Sequence, residues 1–294
     1  MAINKNNKIT SYLDWSDQGK SSLWRYVLGV LLSIFVFFVL GGLGMFPLIL
    51  FVPDYQKSLT LNVLAILMAF VIPFIFIPLM VKLVHHRPSW SVAMPKLRFE
   101  MWNFFTAFWV SIVVSVVTGL LFSLIGVVPI ESNPDFTLTV LAPVALIGMG
   151  GIFIQAGSEE MLFRGYFTQF ARRYTSNKYV VIGVPALLFA LPHIANISQL
   201  GGGILVLIPY LISGILYGWA AYKTGSLWMA LGLHLSNNYT SLVLIGTKGD
   251  VLPSAAPFQI EVPGLAVVTV LVAIQSVVIA MILNYLIERR EIKV

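Results

Sequence analysis

PVALIGMGGIFIQAGSEEMLFRGYFTQFA, residues 143–171, is long enough to cross a bilayer yet carries Glu159, Glu160 and Arg164 within it. A spanning helix needs about 20 mostly apolar residues, so the stretch reads as membrane-embedded. A charge in such a setting costs roughly 2.5–3.5 kcal/mol on insertion scales, so three together imply a purpose. The rest of the chain is built the same way. Of 294 residues, 58% are hydrophobic and only 10% charged, against about 25% charged in a soluble domain. Such a composition cannot cover a water-facing surface, and the protein reads as a polytopic membrane protein.

Eight apolar spans are predicted, near 26–48, 61–83, 103–127, 143–171, 179–197, 204–222, 227–246 and 263–286, making an all-α bundle of about eight transmembrane helices in one domain, 1–294. The first span is expected to be a retained anchor, because its apolar run is too long for a signal-peptide core. Lysines and arginines divide unequally between the two sides: 15 lie before the first span or in the loops following the second, fourth, sixth and eighth. Only Lys57 and Lys248 lie on the other side. The positive-inside rule then places both termini in the cytoplasm of a cell-membrane protein surrounded by lipid. The net charge of +6 is thereby topological, and no nucleic-acid partner is expected. The lack of cysteine excludes disulfides and a thiol nucleophile. His85-His86 beside Arg87 reads as a solvated patch at a span end, and Trp15, Trp24, Trp90 and Trp102 as interfacial anchors. Gly201-Gly202-Gly203 reads as a tight turn between spans.

Three motifs bring polar groups into the later spans. In GSEEMLFRGYF, residues 157–167, Glu160 and Arg164 are i,i+4 neighbours with the acid first, the favourable order for an ion pair. Glu159 points about 100° away and is left without a local cation, a setting that suits a general base. In FALPH, residues 189–193, Pro192 is expected to kink the helix and turn His193 into the interior. In TGSLWMALGLHLSNN, residues 224–238, His234 and Asn238 share one helix face. Each motif alone has an ordinary structural reading, as a frayed helix end, a packing histidine or interhelical hydrogen bonding. Depth connects them: counting from the basic residues that end each span, Glu159, His193 and His234 lie roughly 20, 22 and 16 Å in.

The ordered set EE-x-x-x-R, F-x-x-x-H and H-x-x-x-N resembles the CAAX-protease and bacteriocin-processing (CPBP, or Abi) intramembrane proteases. Gly165 after Arg164, T-G-S-L-W at 224–228 and the G-x-x-x-G of Gly214 and Gly218 add to the resemblance, which covers roughly residues 140–245. It implies a family-like catalytic core of spans four to seven around a polar intramembrane cavity. Glu159 and His193 would activate water, His234 and Asn238 would stabilise the oxyanion, and Glu160 and Arg164 would hold the helix. It implies a peptide or lipidated, prenylated protein substrate cut near the cytoplasmic leaflet. No cofactor is favoured; if zinc were used, Glu159, His193 and His234 would be its ligands. Pro185-Ala186 departs from the small or hydroxylated residues common there, which leaves the shape of the fifth helix open. Two other classes stay in view: a non-catalytic immunity or scaffold protein, and a proton-coupled transporter using the same acid and histidines as a relay.

Overall fold

The computed structural model describes residues 9–196, 203–248, 252–261 and 264–292. Lys5, Lys8, Lys293, Gly201 and Gly202, used in the sequence reading, lie outside these residues. The fold is an all-α membrane bundle. Among the described residues, seven helices are long and apolar enough to cross a membrane. They are α1 (Leu23–Phe51), α2 (Leu59–His85), α3 (Met101–Leu124), α4 (Leu138–Tyr174), α5 (Lys178–Ala195), α6 (Gly203–Thr224) and α8 (Leu265–Arg290). Between the last two runs α7, Trp228–Val243, with 16 residues. At about 1.5 Å per residue it is roughly 24 Å long, short of the ~30 Å hydrocarbon core.

The short helix is the centre of the bundle. Residues 229–236 of α7 are buried without interruption, so every face of that stretch is covered by protein. Leu231, Leu235 and Leu242 pack into one core with Phe104 and Phe108 of α3 and with Val144, Ile152 and Ala156 of α4. Leu233 and Met229 join a second core with Ala107 of α3 and Leu216, Tyr217 and Ala220 of α6. A helix enclosed by protein needs neither full membrane length nor an apolar surface. This is why His234, Ser236 and Asn238 are tolerated on it.

Helices α5 and α6 approach closely where the G-x-x-x-G lies. A Cβ added at Gly214 would stand 3.1 Å from the Ala186 Cβ and carbonyl, and one at Gly218 would stand 3.0 Å from Ile182 Cγ2. Small residues on both sides let the backbones meet, the usual basis of helix association in lipid. Pro185 and Ala186, both buried, therefore belong to a continuous helical stretch, Lys178–Ala190, that fits against α6.

The two ends of the bundle are closed differently. At one end, strands β1 (Ile130–Ser132), β2 (Ile245–Thr247) and β3 (Phe258–Ile260) form a small sheet in the order β1-β3-β2. Lys248 pairs there with Glu131 at 2.8 Å and Glu261 at 3.5 Å. The Glu131 hydrogen bond, joined by the charges of both carboxylates, holds the Lys248 ammonium above its ordinary range.

The other, basic end is covered by the N-terminal segment. Ser11 and Asp14 form a capping box on a 3₁₀ turn, Tyr12–Asp17. Its backbone is held from three sides. The Tyr12 N–H donates to Gly225 O at 2.8 Å, Gln169 Nε2 donates to Tyr12 O at 2.9 Å, and Arg87 donates to Trp15 O. Asp17 pairs with Arg173 at 2.8 Å. This corrects one sequence expectation. His85 and Arg87 are not a solvated patch, because the segment folds over them: His85 is 0% and Arg87 3% exposed. His85 bonds through Nε2 to the Tyr166 hydroxyl at 2.8 Å and through Nδ1 to Lys20 O at 2.9 Å. His86 alone stays exposed.

Candidate active site

Helix α4 changes its winding directly after the paired glutamates. Residues Met161–Phe167 form a π-helical turn, and Thr168 Oγ1 accordingly donates to the carbonyl five residues back, on Phe163, at 3.0 Å. Such turns are rare and concentrate at functional sites. Gly165 lies in it against the loop after α2, where a Cβ would stand 2.5 Å from Val92 O. This accounts physically for the glycine after Arg164.

Arg164 Nη1 donates to Glu160 Oε1 at 3.0 Å, with both side chains 1% exposed. Its guanidinium lies 4.0 Å over the Phe189 ring and 5.2 Å from that of Tyr217, while Nη2 reaches Gly214 O at 3.5 Å. A planar cation enclosed by two aromatic faces and a carboxylate is well suited to burial. The ion pair expected from the i,i+4 spacing is present in the structure.

His234 joins the two acids. Its Nδ1 lies 2.8 Å from Glu160 Oε1, and its Nε2 faces Glu159 Oε2 across 3.6 Å. A carboxylate can only accept, so the Nδ1–Glu160 contact places the proton on His234 Nδ1 and directs Nε2 at Glu159. The Tyr217 ring stacks on the imidazole at 5.2 Å, and Phe189 meets it edge-on at 5.7 Å. Glu159 Oε2 is buried and accepts no hydrogen bond among the described residues.

His193 stands on the far side of Phe189, with ring centroids 4.9 Å apart. The helix tightens from α to 3₁₀ at Leu191–Asn196. The residue three beyond Phe189 is Pro192, which has no N–H to give, so the Phe189 carbonyl is left to the imidazole: His193 Nδ1 sits 2.9 Å from it. Tyr210 stacks on the ring at 3.9 Å. Glu159 and His234 are near enough to act on His193 electrostatically. Asn238 lies one turn beyond His234 and donates from Nδ2 to Gln155 Oε1 at 2.9 Å.

The structure thus brings Glu159, Glu160, Arg164 and His234 into direct contact and sets His193 and Asn238 on either flank. The sequence pairing of Glu159 with His193 differs from the observed contact, in which His234 is the imidazole facing Glu159. Gln155, Tyr210 and Tyr217 are not defining positions of the sequence motifs. For Gln155 a signal existed, since it is a polar residue one helical turn before Glu159 in an apolar span.

A family model described as type II CAAX prenyl endopeptidase Rce1-like matches residues 140–240. This stretch is Rce1-like. The Rce1-like segment contains each of Glu159, Glu160, Arg164, His193, His234 and Asn238, and its likeness is to a CAAX-type intramembrane protease. Over 249 residues the chain is also 26% identical to the uncharacterized protein YyaK of Bacillus subtilis (strain 168), covering 80% of this chain and 82% of that one. No solved structure matches the chain.

A zinc ion at this site would draw on Glu159, His193 and His234. Each histidine has Nδ1 engaged by an oxygen, the arrangement a ligating imidazole takes. Yet among the described residues no three His, Cys, Asp or Glu side chains are gathered closely enough to hold an ion. The arrangement does not fit a preformed zinc site.

Proposed function

We propose that the chain is an intramembrane endopeptidase that cuts a membrane-associated peptide or lipidated protein with activated water. The observation that carries this is the buried, unpartnered Oε2 of Glu159 facing His234 Nε2 at 3.6 Å, inside a segment that is Rce1-like. Glu159 takes a proton from water while the water oxygen attacks the peptide carbonyl carbon. The carbonyl oxygen becomes an oxyanion, and donors on His234 and Asn238 stabilise it. As the intermediate collapses, the C–N bond breaks and the leaving amine receives the proton, with His193 assisting transfer. Donors aimed at such an oxyanion are typically worth about 3–4 kcal/mol each.

Substrate approach from the cytoplasmic leaflet follows from the basic-end topology and is part of the same proposal.

Cleavage of a quenched peptide library by protein in lipid vesicles tests the reading. Glu159→Gln is expected to lower turnover at least a thousandfold while leaving the fold intact. A mutant with full turnover would overturn the assignment. A chelator is expected to leave wild-type turnover unchanged; loss of activity on chelation would replace water activation by glutamate with metal chemistry.

A further inference from the structure

Asn238 carries out its proposed role only with its amide turned the right way. A carboxamide presents two N–H donors on one side and a carbonyl oxygen on the other, and a half-turn of χ2 exchanges them. The wrong face toward an oxyanion would repel it. Two neighbouring carboxamides engage the two ends of this one. Asn237 Nδ2 donates to Asn238 Oδ1 at 3.2 Å, and Asn238 Nδ2 donates to Gln155 Oε1 at 2.9 Å. The bonds run one way, Asn237 to Asn238 to Gln155. The contact with Asn237 joins neighbours on one helix and lies at an exposed residue. The contact with Gln155 joins α7 to α4 across the site, and Gln155 and Asn238 are both partly buried.

We infer that Gln155 is a positioning residue that orients the Asn238 amide, so that its second Nδ2 hydrogen faces the reacting carbonyl oxygen. The inference rests on the protease reading for its consequence but not for its geometry. Gln155 is placed for this by helix spacing: it stands four residues before Glu159, on the same face of α4. The base and the support of the oxyanion donor are therefore carried by one rigid element. A fixed relation between those two groups is what proximity and electrostatic preorganisation require.

The alternative is that the pair only fastens α4 to α7, a modest stabiliser in membranes. Two measurements separate these. Gln155→Leu keeps the side chain's approximate size and removes the acceptor. It is expected to lower kcat about tenfold with KM changed less than about twofold, a fraction of the loss for removing an oxyanion donor outright. In an Asn238→Ala background the same change is expected to cost nothing more, because its target is gone. A Gln155→Leu loss that persists undiminished in Asn238→Ala, or one that appears wholly in KM, would overturn the positioning role.

The second measurement does not depend on turnover. In protein labelled with ¹⁵N-asparagine and held in lipid nanodiscs, the Asn238 side-chain amide is identified as the signal missing from Asn238→Ala. Its two hydrogens are expected to be well separated in wild type, to converge in Gln155→Leu and to stay apart in Gln155→Glu, which keeps the acceptor. An unchanged spectrum in Gln155→Leu would overturn the inference. A wild type that cleaves nothing, or a Glu159→Gln variant that cleaves at full speed, would remove the protease reading, and the spectrum would still decide whether Gln155 orients Asn238.

Discussion

Arg164 is the most instructive single side chain, because its loss would leave Glu160 buried with only His234 Nδ1 to face it. The pair is 1% exposed on both sides, so water cannot replace the missing cation. Breaking a buried pair by removing one partner typically costs about 3–5 kcal/mol, whereas removing both charges together is far milder. Arg164→Ala is therefore expected to lower Tm in detergent markedly, and the double variant Glu160→Leu/Arg164→Leu to recover part of the loss. Arg164→Lys should fall between them: an ammonium can pair with Glu160 but cannot lie flat over Phe189 as the guanidinium does at 4.0 Å. Normal thermal stability of Arg164→Ala would show that the pair does not hold α4 in place.

Helix α5 illustrates how an element can decide the position of a residue that it carries. His193 is placed by the 3₁₀ turn at the end of α5, and α5 is placed by its contact with the small residues of α6. Gly218→Leu would drive a side chain into Ile182, where even a Cβ would stand at 3.0 Å. Overpacking of this kind costs about 1–3 kcal/mol. The variant is expected to lose stability by that amount and to lose turnover as His193 shifts; full turnover with an unchanged Tm would mean that α5 is located by other contacts. This packing was legible in the sequence as a G-x-x-x-G, as were the spans and the Glu160–Arg164 pair, because each depends on local spacing. The π turn at Met161–Phe167 was not, since winding is set by what the helix meets, here the Val92 carbonyl beside Gly165. Nor was the burial of His85: a histidine next to a histidine and an arginine has every local mark of a wet surface, and only the distant segment Ser11–Lys20 folding over it makes it interior. His234 facing Glu159 was hidden for the same reason, because spacing gave depth along each helix but not rotation about it.

Across the whole molecule, the number of crossings rests on α7, which is too short to span lipid unaided. Its start is tied to the basic end, where the Leu227 N–H donates to Ala93 O at 2.8 Å. Its end runs directly into β2, which pairs with β3 in the sheet at the opposite end. The helix therefore runs between the two ends of the bundle, and the Arg290 guanidinium of α8 lies 4.5 Å over Trp102 at the start of α3. We propose that Lys20, Lys96 and Arg289 stand on one side of the membrane, at the basic end, and Lys57 on the other. Because the protein has no cysteine, single cysteines can test this without background. With membrane-impermeant maleimide added outside intact cells, Lys57→Cys is expected to be labelled, and Lys20→Cys, Lys96→Cys and Arg289→Cys only after permeabilisation. The reverse pattern would invert the topology. A split between Lys20→Cys and Arg289→Cys would instead mean an odd number of crossings, placing the α8 terminus away from the basic end despite the contact with Trp102.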